Sequence, residues 1–264
     1  MSKTIVLIGS GKWGQVYANT FDEYFPNVNL IVGDRSNWQS KVDDGTDGVI
    51  VCTSPFSHVN ITKYVLDKNI PVMVEKPLSL NLEEAKILNG YNVPILINNI
   101  HLFSDSFQRL KDIVSKYKIT FILSNGSNCG PTRDFSSLWD YGWHDISMIF
   151  DLINSDPIKF EVYEKNNKCG KLFNIAMKFS NTLRTFSTVG NGGENKIRSL
   201  EVSFDGLHLT YDQANDTSRS LNNSINLFLK AISGQTDDER LGLDLSFRII
   251  NALQNCEKNI NIEY

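Results

Sequence analysis

The sequence lacks the features by which membrane-spanning and nucleic-acid-binding proteins are recognised. No apolar run approaches the roughly 20 residues of a membrane span. The opening residues lead directly into a strand-like segment, which predicts that there is no signal peptide. The formal net charge is −4, so a basic surface for nucleic acid is not expected. We therefore expect an ordinary globular protein that has neither a membrane nor a nucleic-acid partner.

Cysteine is also scarce. The chain contains 4 cysteines, which show no C-x-x-C spacing and no histidine placed to complete a zinc site: Cys52, Cys129, Cys169 and Cys256. Scattered cysteines are typical of reduced thiols in a cytoplasmic protein. The sequence thus predicts a cytoplasmic location and no metal ion.

The first pattern that is present is a buried strand followed by a glycine motif. Thr4 to Ile8 is a continuous apolar run, and G-S-G-K-W-G follows at once, before a segment with helical spacing. In a dinucleotide-binding fold, Gly9 permits the tight turn, Gly11 lets a pyrophosphate approach the backbone, and Gly14 lets helix and strand pack closely. The helix N-terminus then faces the phosphates. A glycine-rich turn without a ligand is the alternative.

An acidic residue ends the second predicted strand, Val28 to Gly33. Asp34 follows the glycine motif by about 20 residues, where a dinucleotide fold places the acid that binds the ribose hydroxyls. A carboxylate there would repel a 2′-phosphate, which favours NAD. The neighbouring Arg35 offers a guanidinium to that phosphate, so NADP stays open. Only about twelve residues separate this strand from the next, and they predict a short or degenerate helix.

The order of strands and helices predicts the fold class. Strands alternate with helices in the first part of the chain, and strand-like runs joined by short turns follow. We predict an α/β protein with an N-terminal Rossmann domain, a doubly wound parallel sheet, over residues 1–118. Residues 119–264 are predicted to form an α+β domain with a largely antiparallel sheet. One clear helix, Ser137 to Leu152, interrupts these later strands.

Two polar clusters carry the candidate chemistry. Glu75-Lys76-Pro77 follows a short buried strand and would lie at the carboxyl edge of the sheet, where ligands bind in open α/β folds. Asp140 and His144 lie one helical turn apart, so the carboxylate can orient the imidazole as a proton-transfer group. Each cluster also has a purely structural explanation, namely a surface turn and a half-buried histidine satisfied by its neighbour.

These motifs, in this order, resemble the Gfo/Idh/MocA oxidoreductase family. The resemblance is carried by the segments GSGKWG, CTSPFSH, VEKPLSLNLEEA and DYGWH. It implies an N-terminal Rossmann domain and a C-terminal sheet domain that holds the substrate and forms a homodimer, or a dimer of dimers, through its sheet. His58 matches a loop histidine that is more often structural than catalytic. The chain is shorter than typical members, and Ser147 stands where members carry a second acid.

The resemblance also implies roles for individual residues. Lys76 would contact both the substrate hydroxyl and the nicotinamide region. His144, paired with Asp140, would take the substrate proton, and Asn99 and His101 would lie near the substrate. Cofactor contacts are implied for Gly9, Gly11, Lys12, Trp13, Gly14, Asp34, Arg35, Thr53, Ser54 and Glu75.

We therefore predict an NAD(P)-dependent dehydrogenase or reductase that transfers a hydride between nicotinamide and a sugar or nucleotide-sugar hydroxyl or ketone. The tryptophan of GKWG favours this substrate class, because it is frequent in family members that act on nucleotide-linked sugars. Two alternatives stay open. One is an imine or linear-tetrapyrrole reductase of the same family, and the other is a catalytically silent dinucleotide-binding protein.

Overall fold

A computed structural model describes residues 2–213 and 219–262. The chain divides into two compact units, Met1–Asn99 with Leu221–Phe247, and Ile100–Ser220 with Arg248–Tyr264. The first break therefore falls at residue 99, whereas the predicted domain boundary follows residue 118. Residues 221–247 join the first unit because their helix packs on its sheet, where Phe228 and Ile232 lie against Gly48. The division into a cofactor domain and a substrate domain stays a prediction.

The first unit is built on a five-stranded parallel sheet with the order β2-β1-β3-β4-β5. β3, β4 and β5 are buried at every position, as expected for strands covered on both faces. Because the strand order reverses beside β1, a crevice is expected at the carboxyl ends of β1 and β3. The strands are β1 (Thr4–Ile8), β2 (Asn29–Gly33), β3 (Gly48–Val51), β4 (Val72–Glu75) and β5 (Ile95–Asn98).

The helices of the first unit begin at recognisable signals. Pro55 occupies the first turn of its helix, where its missing N–H costs nothing. The side chain of Asn81 caps another helix by accepting hydrogen bonds from two backbone N–H groups. The crossover after β2 contains only a 3₁₀ turn, Trp38–Lys41. The helices are α1 (Lys12–Tyr24), α2 (Pro55–Leu66) and α3 (Leu82–Ala85), followed late in the chain by α6 (Ser220–Ile232).

The second unit contains a seven-stranded sheet with the order β11-β10-β6-β9-β8-β7-β12. The β6–β9 and β7–β12 pairs are parallel, and the other four pairs are antiparallel. Burial alternates along β8 and β10, which shows that one face of the sheet is packed. The strands are β6 (Ile119–Ser127), β7 (Lys159–Asn167), β8 (Gly170–Lys178), β9 (Arg184–Gly190), β10 (Ile197–Phe204), β11 (Leu207–Asp212) and β12 (Ile260–Ile262).

Helix α5 (Ser137–Leu152) covers this sheet and contacts β6, β8 and β9. Helix α4 (Asp105–Val114) was not predicted, although Ser104 caps it and its buried residues recur at helical spacing. Helix α7 (Asp244–Lys258) runs from the first unit into the second. The predicted fold class, a Rossmann sheet followed by a largely antiparallel α+β sheet, is confirmed. Within the described ranges, no helix has the length and apolar character that a membrane span requires.

One disulfide corrects the expectation of four reduced thiols. Cys129, just after β6, is bonded to Cys169 in the turn between β7 and β8, and their Cα atoms are 5.2 Å apart. Cys52 and Cys256 are buried free thiols. The sequence did not show this pairing because strand pairing, rather than spacing, brings the two segments together. The predicted cytoplasmic location loses the part of its basis that rested on reduced thiols.

Candidate active site

The glycine motif forms a turn that only glycine can make. Gly9 has φ 122° and donates its N–H to the Gly33 carbonyl at 2.9 Å. A Cβ on Gly9 would lie 2.3 Å from the Cys52 oxygen, and a Cβ on Gly14 would lie 1.9 Å from the Gly9 oxygen. Both close approaches involve backbone atoms, which cannot move aside. The backbone of β1, β3 and α1 therefore converges at this turn.

Gly11 is different, because a Cβ there would meet no described atom within 4 Å. It is the N-cap of α1, and no described side chain caps the helix at this residue. The first turn of α1 therefore begins without a side-chain cap among the described residues, and its N–H groups have no partner within the helix. Lys12 and Trp13 begin the helix, and Trp13 is 42% exposed. This arrangement fits a pyrophosphate, which needs close backbone approach and a positive helix end.

Asp34 lies directly after β2, and its carboxylate is held by its own loop. Its Oδ1 accepts hydrogen bonds from the Ser36 N–H at 2.8 Å, the Ser36 hydroxyl at 2.6 Å and the Asn37 N–H at 3.2 Å. These hydrogen bonds lower the pKa of Asp34 below its ordinary value. The group is thus a fixed anion at the position predicted to bind ribose. The adjacent Arg35 is exposed.

Glu75 ends β4 inside a buried network. Its Oε1 accepts hydrogen bonds from the Tyr17 hydroxyl at 2.7 Å and the Asn98 amide at 2.6 Å. Burial raises the pKa of Glu75, and the hydrogen bonds and the Lys76 charge offset part of this shift. Burial likewise raises the pKa of Tyr17. The carboxylate therefore joins β4 and β5 to α1, and its predicted contact with the cofactor stays a prediction.

Lys76 follows Glu75 and precedes a cis peptide bond to Pro77. The Pro77 carbonyl lies 2.8 Å from His58 Nδ1, and the Thr53 carbonyl lies 3.1 Å from His58 Nε2. His58 is fully buried, and burial lowers its pKa to about 4. A neutral imidazole has one N–H, so it donates to one of these two carbonyls and packs against the other, between the loop after β3 and the loop after β4. His58 has the structural role that the family resemblance implies.

The predicted residues Thr53 and Ser54 form the start of α2. The Thr53 hydroxyl lies 2.8 Å from the Ser57 hydroxyl, and Ser54 is the N-cap of the helix. Both follow the carboxyl end of β3, next to the strand that carries the glycine turn. The structure therefore gathers the predicted cofactor residues of the first unit at one edge of one sheet.

In the second unit, Asp140 and His144 lie on α5 as predicted. Asp140 Oδ2 accepts a hydrogen bond from Arg133 Nε at 3.0 Å, and its side chain is 14% exposed. The half-buried His144 ring meets the His101 ring edge to face, with centroids 4.7 Å apart. His101 Nδ1 in turn lies 3.0 Å from the Tyr211 hydroxyl. His144 is thus part of a cluster that includes two residues from other elements, and its predicted pairing with Asp140 stays a prediction.

The residue after His144 makes a buried ion pair. Asp145 is fully buried, and its Oδ2 accepts a hydrogen bond from Arg198 Nη1 of β10. A Cβ on Gly126 would lie 2.1 Å from that nitrogen, so glycine in β6 makes room for the pair. Burial lowers the pKa of Arg198 to about 10, which leaves the guanidinium charged at neutral pH. The pair links α5 to the sheet beneath it.

The loop after β6 also reaches α5. The Tyr141 hydroxyl donates a hydrogen bond to Asn128 Oδ1, and the disulfide fixes the next residue, Cys129. Burial raises the pKa of Tyr141. Asn128 and Arg133 of this loop are therefore both hydrogen-bonded to the helix that carries His144.

Several of these residues were missed or underrated in the sequence. Tyr211 and Arg198 carry no motif, and each is identified only by a partner in a distant segment. The Tyr17–Glu75–Asn98 network was likewise invisible, because its members come from α1, β4 and β5. A local signal did exist for α4, in the serine cap and the helical spacing of apolar residues.

Residues 32–90 match the sequence profile of the oxidoreductase family with an NAD-binding Rossmann fold. This segment contains Asp34, the CTSPFSH loop and Glu75-Lys76-Pro77. No curated protein shows a significant sequence match to the chain.

Solved structures resemble the chain over nearly its whole length. A protein from Magnetospirillum magnetotacticum MS-1, described as a candidate oxidoreductase, superposes with a TM-score of 0.86 and 25% identity, covering 97% of this chain and 100% of that one. The UDP-N-acetylglucosamine 3-dehydrogenase of Acidithiobacillus ferrooxidans has a TM-score of 0.86 and 15% identity, covering 98% of each chain. The scyllo-inositol dehydrogenase of Lactobacillus casei, solved with NAD(H) and scyllo-inositol, has a TM-score of 0.81 and 14% identity, covering 98% and 97%.

Proposed function

We propose that this chain, an NAD-binding oxidoreductase of the Gfo/Idh/MocA family, interconverts a hydroxyl and a ketone on a sugar or nucleotide-sugar. The observation that carries the proposal is the imidazole of His144, held against His101 on a helix that also presents Asp140. Such a group can accept a proton from an alcohol. The substrate class is supported by the two dehydrogenases named above, which act on UDP-N-acetylglucosamine and on scyllo-inositol.

The reaction balances with the residues assigned to it. NAD, which the glycine turn and Asp34 would hold, would supply the acceptor for the hydride that leaves the carbon bearing the hydroxyl. His144 accepts the hydroxyl proton, so the alcohol loses one hydride and one proton and becomes a carbonyl. The Lys76 ammonium lowers the pKa of the hydroxyl and stabilises the negative charge that develops on its oxygen. Ketone reduction runs through the same steps in reverse.

Asp140 has a supporting role in this proposal. Its carboxylate lies one turn before His144 and is oriented by Arg133 at 3.0 Å. A negative charge on this turn favours the imidazolium that forms when His144 takes the proton. The remaining predicted cofactor residues keep the contacts assigned to them: Gly9, Gly11, Lys12, Trp13, Gly14, Asp34, Arg35, Thr53, Ser54 and Glu75.

NAD rather than NADP is the proposed cofactor. The Asp34 carboxylate is kept ionised by hydrogen bonds from Ser36 and Asn37, and a fixed anion repels a 2′-phosphate. Arg35, the next residue in the sequence, opposes this preference because its guanidinium could bind the 2′-phosphate. A thermal-shift titration with both dinucleotides tests it, because a ligand raises the melting temperature of the state that it binds. Equal shifts with the two would contradict the proposal.

We also propose that the chain forms a homodimer, or a dimer of dimers, through the second sheet. Phe121 and Leu123 of β6 are 39% and 42% exposed on the face opposite the buried residues of that strand. Leu123 pairs with Phe186 of β9, so apolar side chains continue across neighbouring strands. Light scattering should report more than one chain per particle, and Leu123→Glu should reduce that number.

Hydride exchange in solution tests the central proposal. The protein is mixed with NAD or NADP and with UDP-N-acetylglucosamine, scyllo-inositol or myo-inositol, and nicotinamide absorbance is followed. A parallel series offers the reduced dinucleotide with ketones and with cyclic imines. Turnover of a hydroxyl or ketone supports the proposal. Turnover of imines alone would identify the reductase alternative, and NAD binding without any turnover would identify a silent binding protein.

A further inference from the structure

His101 lies beside the proposed proton acceptor, yet the proposed reaction gives it no task. It belongs to the 3₁₀ turn Ile100–Phe103 and is only 5% exposed. Its ring meets the His144 ring at an interplanar angle of 83°, with centroids 4.7 Å apart. A second imidazole at this distance competes for the same proton. The surroundings of the two rings must therefore determine which of them binds the proton.

Tyr211 is the neighbour that distinguishes the two rings. It is 2% exposed in β11, its ring packs edge to face on Phe107 of α4, and its hydroxyl lies 3.0 Å from His101 Nδ1. We assign the hydroxyl as the donor and Nδ1 as the acceptor, because a phenol, with an ordinary pKa of about 10, is a better donor than acceptor toward a neutral imidazole of pKa about 6.5. Nδ1 is then the acceptor and the ring proton lies on Nε2. Protonation of Nδ1 would turn this acceptor into a donor, so the buried Tyr211 hydroxyl would lose Nδ1 as its acceptor and would have to reverse. Tyr211 therefore favours the neutral form of His101.

Charge repulsion couples the two rings. Two imidazolium ions at this separation repel each other strongly, so the pair binds its first proton far more readily than its second. A ring that is held neutral leaves that first proton to its neighbour. The edge-to-face contact also restricts rotation of the His144 ring, because the buried His101 cannot move aside.

The surrounding charges are largely paired. On α5, Asp140 pairs with Arg133, Asp145 with Arg198, and Asp151 with Lys111 of α4 at 2.9 Å. The Arg198 guanidinium also interacts electrostatically with the Tyr211 and Tyr141 hydroxyls. The other charged or titratable groups on the elements packed against the turn are Asp105, Arg109 and Asp112 of α4, Glu201 of β10, and His208 and Asp212 of β11.

We propose that His101 is a positioning residue for the reaction, because Tyr211 keeps its ring neutral and thereby directs the proton to His144. The part that concerns the substrate rests on the proposed function. The part that concerns the two rings is a property of the protein alone. It predicts an order of titration, with His144 taking its proton at higher pH than His101.

Side-chain NMR of the whole protein can measure this order, because the chain contains only 4 histidines. Each signal is assigned with a single His→Gln variant. In the wild type, His144 should titrate above His101. In Tyr211→Phe, the pKa of His101 should rise and that of His144 should fall, each by about half a unit or more. Tyr163→Phe is the matched control, because Tyr163 is an exposed tyrosine of β7 and should move neither curve.

A double variant separates this mechanism from a packing defect. Phenylalanine at position 101 keeps an aromatic ring beside His144 but cannot be protonated. In the His101→Phe background, Tyr211→Phe should therefore no longer lower the pKa of His144. His101 titrating above His144 in the wild type would overturn the proposal, as would an unchanged pair of curves in Tyr211→Phe. If Tyr211→Phe fails to fold, the wild-type order alone decides.

The enzymatic readout is the pH profile of kcat/KM. Tyr211→Phe should lower the apparent pKa of the group that must be deprotonated, whereas a purely structural defect would scale the rate at every pH. A failure of the proposed function would abolish this readout and leave the NMR result intact. The two failures are therefore distinguishable.

Discussion

The two units of this protein build their sites in opposite ways. In the first unit, the proposed cofactor edge is made by consecutive residues, Gly9 to Gly14, and backbone conformation determines its shape. In the second unit, the cluster around His144 is made by side chains from distant segments. His101 and Tyr211 are separated by 110 residues, and Asp145 and Arg198 by 53. A local turn is encoded by residue type, whereas a side-chain cluster depends on how strands pair.

The units also treat a buried carboxylate differently. Glu75 is surrounded mainly by neutral hydrogen-bond donors, and burial raises its pKa. Asp145 is also buried but is paired with a guanidinium. A carboxylate among neutral donors responds to pH, whereas a buried ion pair responds to loss of its partner. The first unit should therefore be the more sensitive to pH and the second the more sensitive to single substitutions.

The largest expected effect tests whether both units contribute to one reaction. Lys76→Ala in the first and His144→Ala in the second should each lower kcat/KM by about 10² to 10⁴, because each removes a group that acts on the substrate hydroxyl in the proposed reaction. Steady-state kinetics with a turned-over substrate measure this. Lys86→Ala and His208→Ala are exposed matched controls that should keep wild-type rates. A normal rate in either site variant would assign the chemistry to other residues.

Asp145→Asn tests the dependence of the second unit on long-range pairing. It leaves Arg198 buried without its counter-charge, so unfolding free energy should fall by about 3–5 kcal/mol in urea titration. Replacing both residues, as Asp145→Leu with Arg198→Met, should cost less than Asp145→Asn alone. Glu161→Gln, at an exposed pair with Lys159, should have no measurable effect. If the double variant is less stable than Asp145→Asn, the ion pair contributes more to the free energy of unfolding than the removal of an unpaired buried charge explains.

Two glycine substitutions sharpen the picture of the first unit. Gly14→Ala should destabilise by at least about 2 kcal/mol, because its Cβ would lie 1.9 Å from a backbone oxygen. Gly11→Ala has open space and should change stability by less than about 1 kcal/mol. It should nevertheless weaken NAD binding about tenfold, because a methyl group would occupy the phosphate approach. Thermal unfolding and calorimetric titration separate the two effects. Unchanged NAD affinity in Gly11→Ala would show that the phosphates do not bind next to Gly11.

The smallest effect is a pH slope caused by Glu75. Since burial raises its pKa in the folded state, the native protein binds this proton more tightly than the unfolded chain does. The resulting stabilisation is complete below the unfolded pKa of about 4.3 and is lost as pH rises through the folded pKa. Between these values the wild type should lose up to about 1.4 kcal/mol per pH unit relative to Glu75→Gln. Urea titrations across this range measure the slope, with exposed Glu83→Gln as control. Parallel curves for Glu75→Gln and the wild type would contradict it.

The helices and strands themselves were largely predictable, because a buried face produces a periodic pattern of apolar residues in the sequence. Strand β1 and helix α5 were predicted at their observed bounds. Apolar runs marked the parallel strands, and the abrupt change at Glu75-Lys76-Pro77 marked the end of β4. Helix α4 was missed even though its cap and spacing were visible. The parallel pairing of β6 with β9 could not be predicted, because strand neighbours are chosen by tertiary packing.

The sequence by itself determined the backbone of the cofactor edge, since glycine, proline and buried β-branched runs restrict local conformation wherever they occur. It also determined that Asp140 and His144 share one turn of a helix. Only the tertiary structure decided what surrounds them. The choice of Tyr211 for His101, of Arg198 for Asp145 and of Cys169 for Cys129 follows from strand order, and none of these partners is encoded within a local window. Local preferences act over a few residues, whereas the electrostatics of a buried site depend on groups brought together by the whole sheet.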